Sequence, residues 1–103
     1  VVASTMALTE IRYRILRKYD EQAADEAIAL IENQSNVTVI PVIREIALEA
    51  ADLRNKYYSR ADLDLSYADT VHLATALQTN CKTFITGDPD FKKIKEDIKV
   101  QVV

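Results

Sequence analysis

The chain has 103 residues, of which 49% are apolar and 28% charged, with a net charge of −3; this suits one soluble domain of modest core over residues 1–103 and excludes a disordered tail. No apolar run approaches the roughly 20 residues that span a bilayer and no signal-peptide pattern opens the sequence, so a cytoplasmic protein without membrane association is expected. A single cysteine, Cys81, excludes an internal disulfide, and one glycine and two prolines leave little room for linkers or repeats.

In chain order, Val1, Val2 and Ala3 form a strand-like start, and Ser4 or Thr5 caps a helix running to about residue 20. Leu8, Ile11, Ile15 and Tyr19 recur at helical spacing as its buried stripe. Glu10 lies off that stripe, within reach of Arg14 one turn on, so its residues alone describe an exposed acid in a surface pair. A second helix over about residues 21–33 packs through Ala24, Ala27, Ile28 and Ile31, and residues 37–40 read as a strand ended by Pro41. A third helix, about 42–58, carries Ile43, Ile46, Ala47, Ala50, Leu53 and Tyr57 on one face, with Arg44, Glu45, Glu49, Asp52, Arg54 and Lys56 on the solvated side. Asp62 and Asp64 then lie in a connecting loop.

The stretch 65–91, LSYADTVHLATALQTNCKTFITGDPDF, holds the candidate chemistry. From Ala68 to Leu77 there is almost no polar face, as in a buried helix, yet Asp69 sits in its first turn. Thr83, Phe84, Ile85 and Thr86 read as a short buried strand ending on Gly87, Asp88, Pro89 and Asp90. Carboxylates at a helix start and past the carboxyl end of a strand can converge, because open α/β sheets bind ligands at that edge. Two such carboxylates would hold a divalent cation. Each acid also has a purely structural account: Ser66 with Asp69 at N3 fits a capping box, and the Gly-Asp-Pro-Asp segment is turn chemistry. After Phe91, Lys92, Lys93 and Lys95 make a short basic helix, and residues 98–102 alternate as an edge strand. Cys81 reads as a small packed residue and His72 as a packing or hydrogen-bonding one.

The run from Tyr67 through Asp69, His72 and Ala74 to Ala76, followed by Phe84-Ile85-Thr86-Gly87-Asp88-Pro89-Asp90-Phe91, resembles the C-terminal half of a PIN domain, with VapC-type toxins of type II toxin–antitoxin pairs as the nearest likeness. Ala7 to Ile11, around Glu10, resembles the family's second acidic motif. The resemblance implies an α/β fold, a three-layer α/β/α sandwich with a parallel sheet, and a metal-dependent ribonuclease cleaving single-stranded RNA. It further implies Glu10, Asp69 and Asp88 as metal-site acids, Asp90 as a fourth, and Thr86 as a hydroxyl orienting a ligand or water. Carboxylates are hard ligands suited to Mg2+ or Mn2+, which can activate water and stabilise a leaving oxygen. A cognate VapB-like antitoxin and a homodimer follow from the same likeness. Tyr57, Tyr58, Arg60 and the late lysines could line an RNA path.

The start of the chain departs from the family pattern. PIN domains open with a central strand ending in an Asp that is the first metal ligand, and no acid precedes Glu10 here. The expectation is a PIN-like fold without that strand, with a gap in mid-sheet between the strands near Val1, Val37, Thr83 and Ile98. The strand could lie upstream of this sequence, come from a swapped partner, or be lost with the sheet closing over the gap. In the last case the chain would be a non-catalytic remnant serving as a binding or dimerisation module.

Overall fold

A computed structural model describes residues 1–60 and 62–103. The backbone forms two compact units, Val1–Val42 and Ile43–Val103.

In the first unit, β1 (Val2–Ser4) leads directly into α1 (Thr5–Lys18), then α2 (Glu21–Glu32) and β2 (Thr38–Ile40). β1 and β2 pair in parallel, with Val2 opposite Thr38 and Ser4 opposite Ile40, so the two helices are the crossover a parallel pair requires. Ser4 is the N-cap of α1, its side chain accepting from the Met6 amide at 3.1 Å. Asp20 caps α2 by accepting from the Ala23 amide at 2.8 Å. The helices pack on each other, with Ala24 fully buried, and Arg12 ties them externally through an ion pair with Asp25 at 2.6 Å.

Two expectations change in α1. Leu8, Ile11 and Ile15 are half-buried as the spacing requires, but Tyr19 is exposed. The helix ends at Lys18, and the Tyr19 backbone leaves helical geometry, at φ −129° and ψ −125°, so the periodicity no longer applies to it. Glu10 is half-buried rather than exposed.

In the second unit, α3 (Arg44–Tyr57) packs on α4 (Tyr67–Gln78), which is followed by β3 (Thr83–Thr86), a 3-10 helix (Pro89–Lys93) and β4 (Lys99–Val102). The core is built from Ile46, Ala50 and Leu53 of α3, Leu63 and Leu65 of the connection, Leu73 and Ala74 of α4, and Phe91 and Ile94. The apolar stripe of α3 is narrower than its sequence suggests. Ile46, Ala50 and Leu53 follow the i, i+4, i+7 rule, whereas Ala47 lies to one side and Ile43 is the N-cap, and both are exposed.

α4 stops in a Schellman turn. The Cys81 amide donates to the Ala76 carbonyl at 2.9 Å and the Asn80 amide to that of Leu77 at 3.1 Å, with Asn80 in the left-handed region at φ 56°. Asn tolerates that conformation better than most L-residues, and the turn redirects the chain into β3.

β3 and β4 are parallel, Thr83 opposite Lys99 and Thr86 opposite Val102. The four strands thus hydrogen-bond as two separate parallel pairs. β3 is covered on one face only: Phe84 and Thr86 are half-buried while Thr83 and Ile85 are exposed, a period-two pattern in place of the expected buried strand. The Phe84 ring meets Phe91 at a centroid distance of 4.9 Å and a tilt of 49°, which fixes the 3-10 helix under β3. No helix among the described residues is long and apolar enough to cross a membrane.

Candidate functional site

Asp69 is set by the start of α4. Its amide donates to the Ser66 hydroxyl at 3.0 Å, and its own Oδ2 accepts from the Ser66 amide at 2.9 Å, a complete capping box. The side chain is half-buried and held at N3, where a negative charge complements the helix dipole. That bond engages one carboxylate oxygen and leaves the second able to act as a hard ligand.

Asp88 is set by the end of β3. The Thr86 hydroxyl accepts from the Asp88 amide at 3.1 Å, and Asp88 Oδ1 in turn accepts from the Asp90 amide at 2.9 Å, with Pro89 fixing the backbone between them. Thr86, Asp88 and Asp90 therefore form one hydrogen-bonded turn at the carboxyl end of a parallel strand, all three half-buried. Lys93, one turn along the 3-10 helix, places its ammonium 3.9 Å from Asp90 Oδ1 and donates to the Asp62 carbonyl.

Of the three acids singled out in the second unit, Asp69 and Asp88 each accept from a backbone amide, which is also what the structural account of each requires, and Asp90 faces the Lys93 ammonium. Glu10 lies in α1 of the first unit, half-buried, and His72 is half-buried on α4; each engages a partner. Among the described residues, no three His, Cys, Asp or Glu side chains gather into a metal-ligating cluster.

Two features of the second unit were not legible as site chemistry. Arg54, assigned to the solvated face of α3, is half-buried: its Nε donates to the Leu65 carbonyl at 3.2 Å, and its guanidinium carbon lies 4.2 Å from the ring centroids of both Tyr58 and Tyr67. Lys56 and Tyr57 both donate to Glu96 Oε2, the lysine at 2.6 Å, and the Tyr57 oxygen accepts from the Lys95 amide at 3.0 Å. The hydrogen bonds from Lys56 and then Tyr57 hold the Glu96 carboxyl below the ordinary glutamate value, and the bonds to Glu96 and Tyr57 raise the Lys56 ammonium. Of the basic residues suggested as an RNA path, Lys93 is engaged with acceptors of its own unit, while Arg60, Lys92 and Lys95 are exposed.

No curated protein sequence matches the chain. Its fold is similar to a solved structure, VapBC2 from Rickettsia felis bound to a DNA fragment from their promoter, with a TM-score of 0.74 and 17% sequence identity, over 98% of this chain and 73% of that one. At such identity the likeness is one of fold, and it agrees with the mixed helices and parallel strand pairs described above. The model of the PIN domain matches residues 1–97, nearly the whole length, and the chain belongs to the PIN domain family.

Proposed function

We propose that this protein is a single-domain, metal-dependent ribonuclease of toxin type, hydrolysing phosphodiester bonds of single-stranded RNA. The observation that carries the reading is the PIN match over residues 1–97, with acids at the motif positions 69 and 88. Asp69, Asp88 and Asp90 are the proposed metal-site acids of the second unit, and Glu10 of the first is assigned to the same chemistry on the resemblance of its surrounding segment. By type the donors suit Mg2+ or Mn2+, being hard carboxylate and hydroxyl oxygens, and Mg2+ commonly binds through one or two carboxylates while keeping several waters, so it does not need the larger acidic cluster that is absent among the described residues. A bound divalent ion would supply an activated water and charge stabilisation on the phosphate oxygens.

The chain's own residues do the rest. Ser66 orients the Asp69 carboxylate through the capping box, and the Thr86 hydroxyl holds the amide of Asp88 so that its carboxylate stays at the strand end. Such backbone anchoring keeps acidic groups in place without a rearrangement during the reaction. The antitoxin, homodimer and cytoplasmic setting belong to the same reading, and a fold neighbour that is VapBC2 supports the antitoxin.

A second reading has an observation in its favour: the capping box accounts fully for Asp69, and the strand-end turn for Asp88. Under it the chain is a non-catalytic PIN module for binding or dimerisation. Cleavage of a single-stranded RNA decides between them. Mn2+-dependent cleavage abolished by Asp69→Asn or Asp88→Asn establishes the nuclease; metal-independent binding with no cleavage establishes the module.

A further inference from the structure

We propose that Arg54 and Tyr67 form a nucleotide subsite, in which the exposed ring of Tyr67 stacks an unpaired base and the Arg54 guanidinium takes a phosphate of the same strand; this deepens the nuclease reading above and rests on it. Tyr67 is the first residue of α4, two before Asp69, and is 71% exposed. An aromatic ring so exposed is ordinarily mobile, but this one is packed against a guanidinium at 4.2 Å.

The guanidinium is itself fixed. Tyr58, the C-cap of α3, contacts it at the same 4.2 Å, and Nε donates to the carbonyl of Leu65, a fully buried residue. One of the five N–H donors thus sets the plane, and the Nη pair provides the fork that phosphate recognition uses. Arg54, Tyr58 and Tyr67 line a recess of about 380 Å³ with Ala51 and Asn55, all within the second unit. A planar cation in contact with two aromatic rings, beside an amide that can both donate and accept, matches a single-stranded nucleotide: π-face for base, fork for phosphate, amide for base or sugar edge. The chain as a whole is acidic, at net charge −3. General attraction to polyanions is therefore weak, and a preorganised local cation of this kind is what would position a strand.

The probe is a 5′-fluorescein-labelled hexauridylate, followed by anisotropy in metal-free buffer, with cleavage of the same strand measured separately in Mn2+. Tyr67→Ala is expected to weaken binding about tenfold and Tyr67→Phe to hold it within about twofold, because stacking needs the ring and not the hydroxyl. Arg54→Gln is expected to lower the magnitude of the salt slope by about 0.7, the value for one phosphate on a single strand. Binding unchanged in Tyr67→Ala, with wild-type cleavage intact, overturns the subsite and leaves the nuclease reading standing; this is also the outcome if the aromatic patch serves a protein partner. Tight binding weakened by Tyr67→Ala, with no cleavage in Mn2+, supports the subsite and overturns the nuclease. Neither binding nor cleavage by the wild type overturns both.

Discussion

Ser66 and Asp69 cap one another: each side chain accepts from the other's amide, at 3.0 and 2.9 Å, and together they close the first turn of α4. The relation gives Asp69 a structural duty whatever chemistry it performs. Ser66→Ala removes the N-cap acceptor and is expected to cost about 1 kcal/mol of folding stability in urea denaturation. The backbone amide of residue 66, which orients the Asp69 carboxylate, is kept in this variant, so RNA cleavage should stay close to wild type at a temperature where both proteins are folded. A loss of activity without any loss of stability would mean that the Ser66 hydroxyl acts on the substrate itself.

Asp88→Asn separates turn from chemistry at the other acid. The amide side chain keeps an oxygen able to accept from the Asp90 amide, so stability is expected to change by less than about 0.5 kcal/mol. The charge is lost, and with it an anionic ligand for a hard cation. Expected results are an unchanged melting temperature in chelator, a smaller stabilisation on adding Mn2+, and no cleavage. An undiminished Mn2+ response would remove Asp88 from the proposed metal site.

Much of the secondary structure of both units was legible because its punctuation is local: Ser4 and Ser66 are caps by their chemistry, and Pro41 and Pro89 stop what precedes them. The acidic motifs were legible as well, in their dual sense, and the geometry realises the structural half of each. What periodicity missed is tertiary. Arg54 carries a charge, so the pattern of α3 places it on the solvated face, but two tyrosines from beyond the helix fold over its guanidinium. Ile85 reads as core by its type and is exposed because only one face of β3 is covered. Glu96, in a stretch of alternating charge, gives no local sign that it will meet Lys56 and Tyr57 from residues about forty positions earlier.

Asn80 tests the turn that aims β3. Its φ of 56° is strained for a residue with an ordinary side chain, so Asn80→Ala is expected to destabilise by about 1 kcal/mol, and Asn80→Gly to be neutral or mildly stabilising. Urea midpoints of the two variants measured side by side check this. A stabilising Asn80→Ala would mean that the turn does not hold this conformation in solution.

The Lys56–Tyr57–Glu96 cluster sets a pH signature on stability. Glu96 is held below its ordinary value, so the folded state keeps it charged where the unfolded chain has begun to take up a proton. Its contribution is present above the unfolded carboxylate range and is lost as pH falls through the folded value. Lys56 is raised, so its contribution is present below the unfolded lysine value and is lost as pH rises through the folded one. Between those limits lies a plateau on which wild type should exceed Glu96→Gln in melting temperature. The gap should narrow as the pH falls below the ordinary glutamate range and through the lowered folded value of Glu96. Tyr57→Phe should narrow the gap on the plateau, since one of the two donors to the carboxylate is gone, and added salt should narrow it further because the pair is partly exposed. A gap that persists unchanged in acid would show that the Glu96→Gln substitution disturbs packing and that the ion pair contributes nothing to the fold.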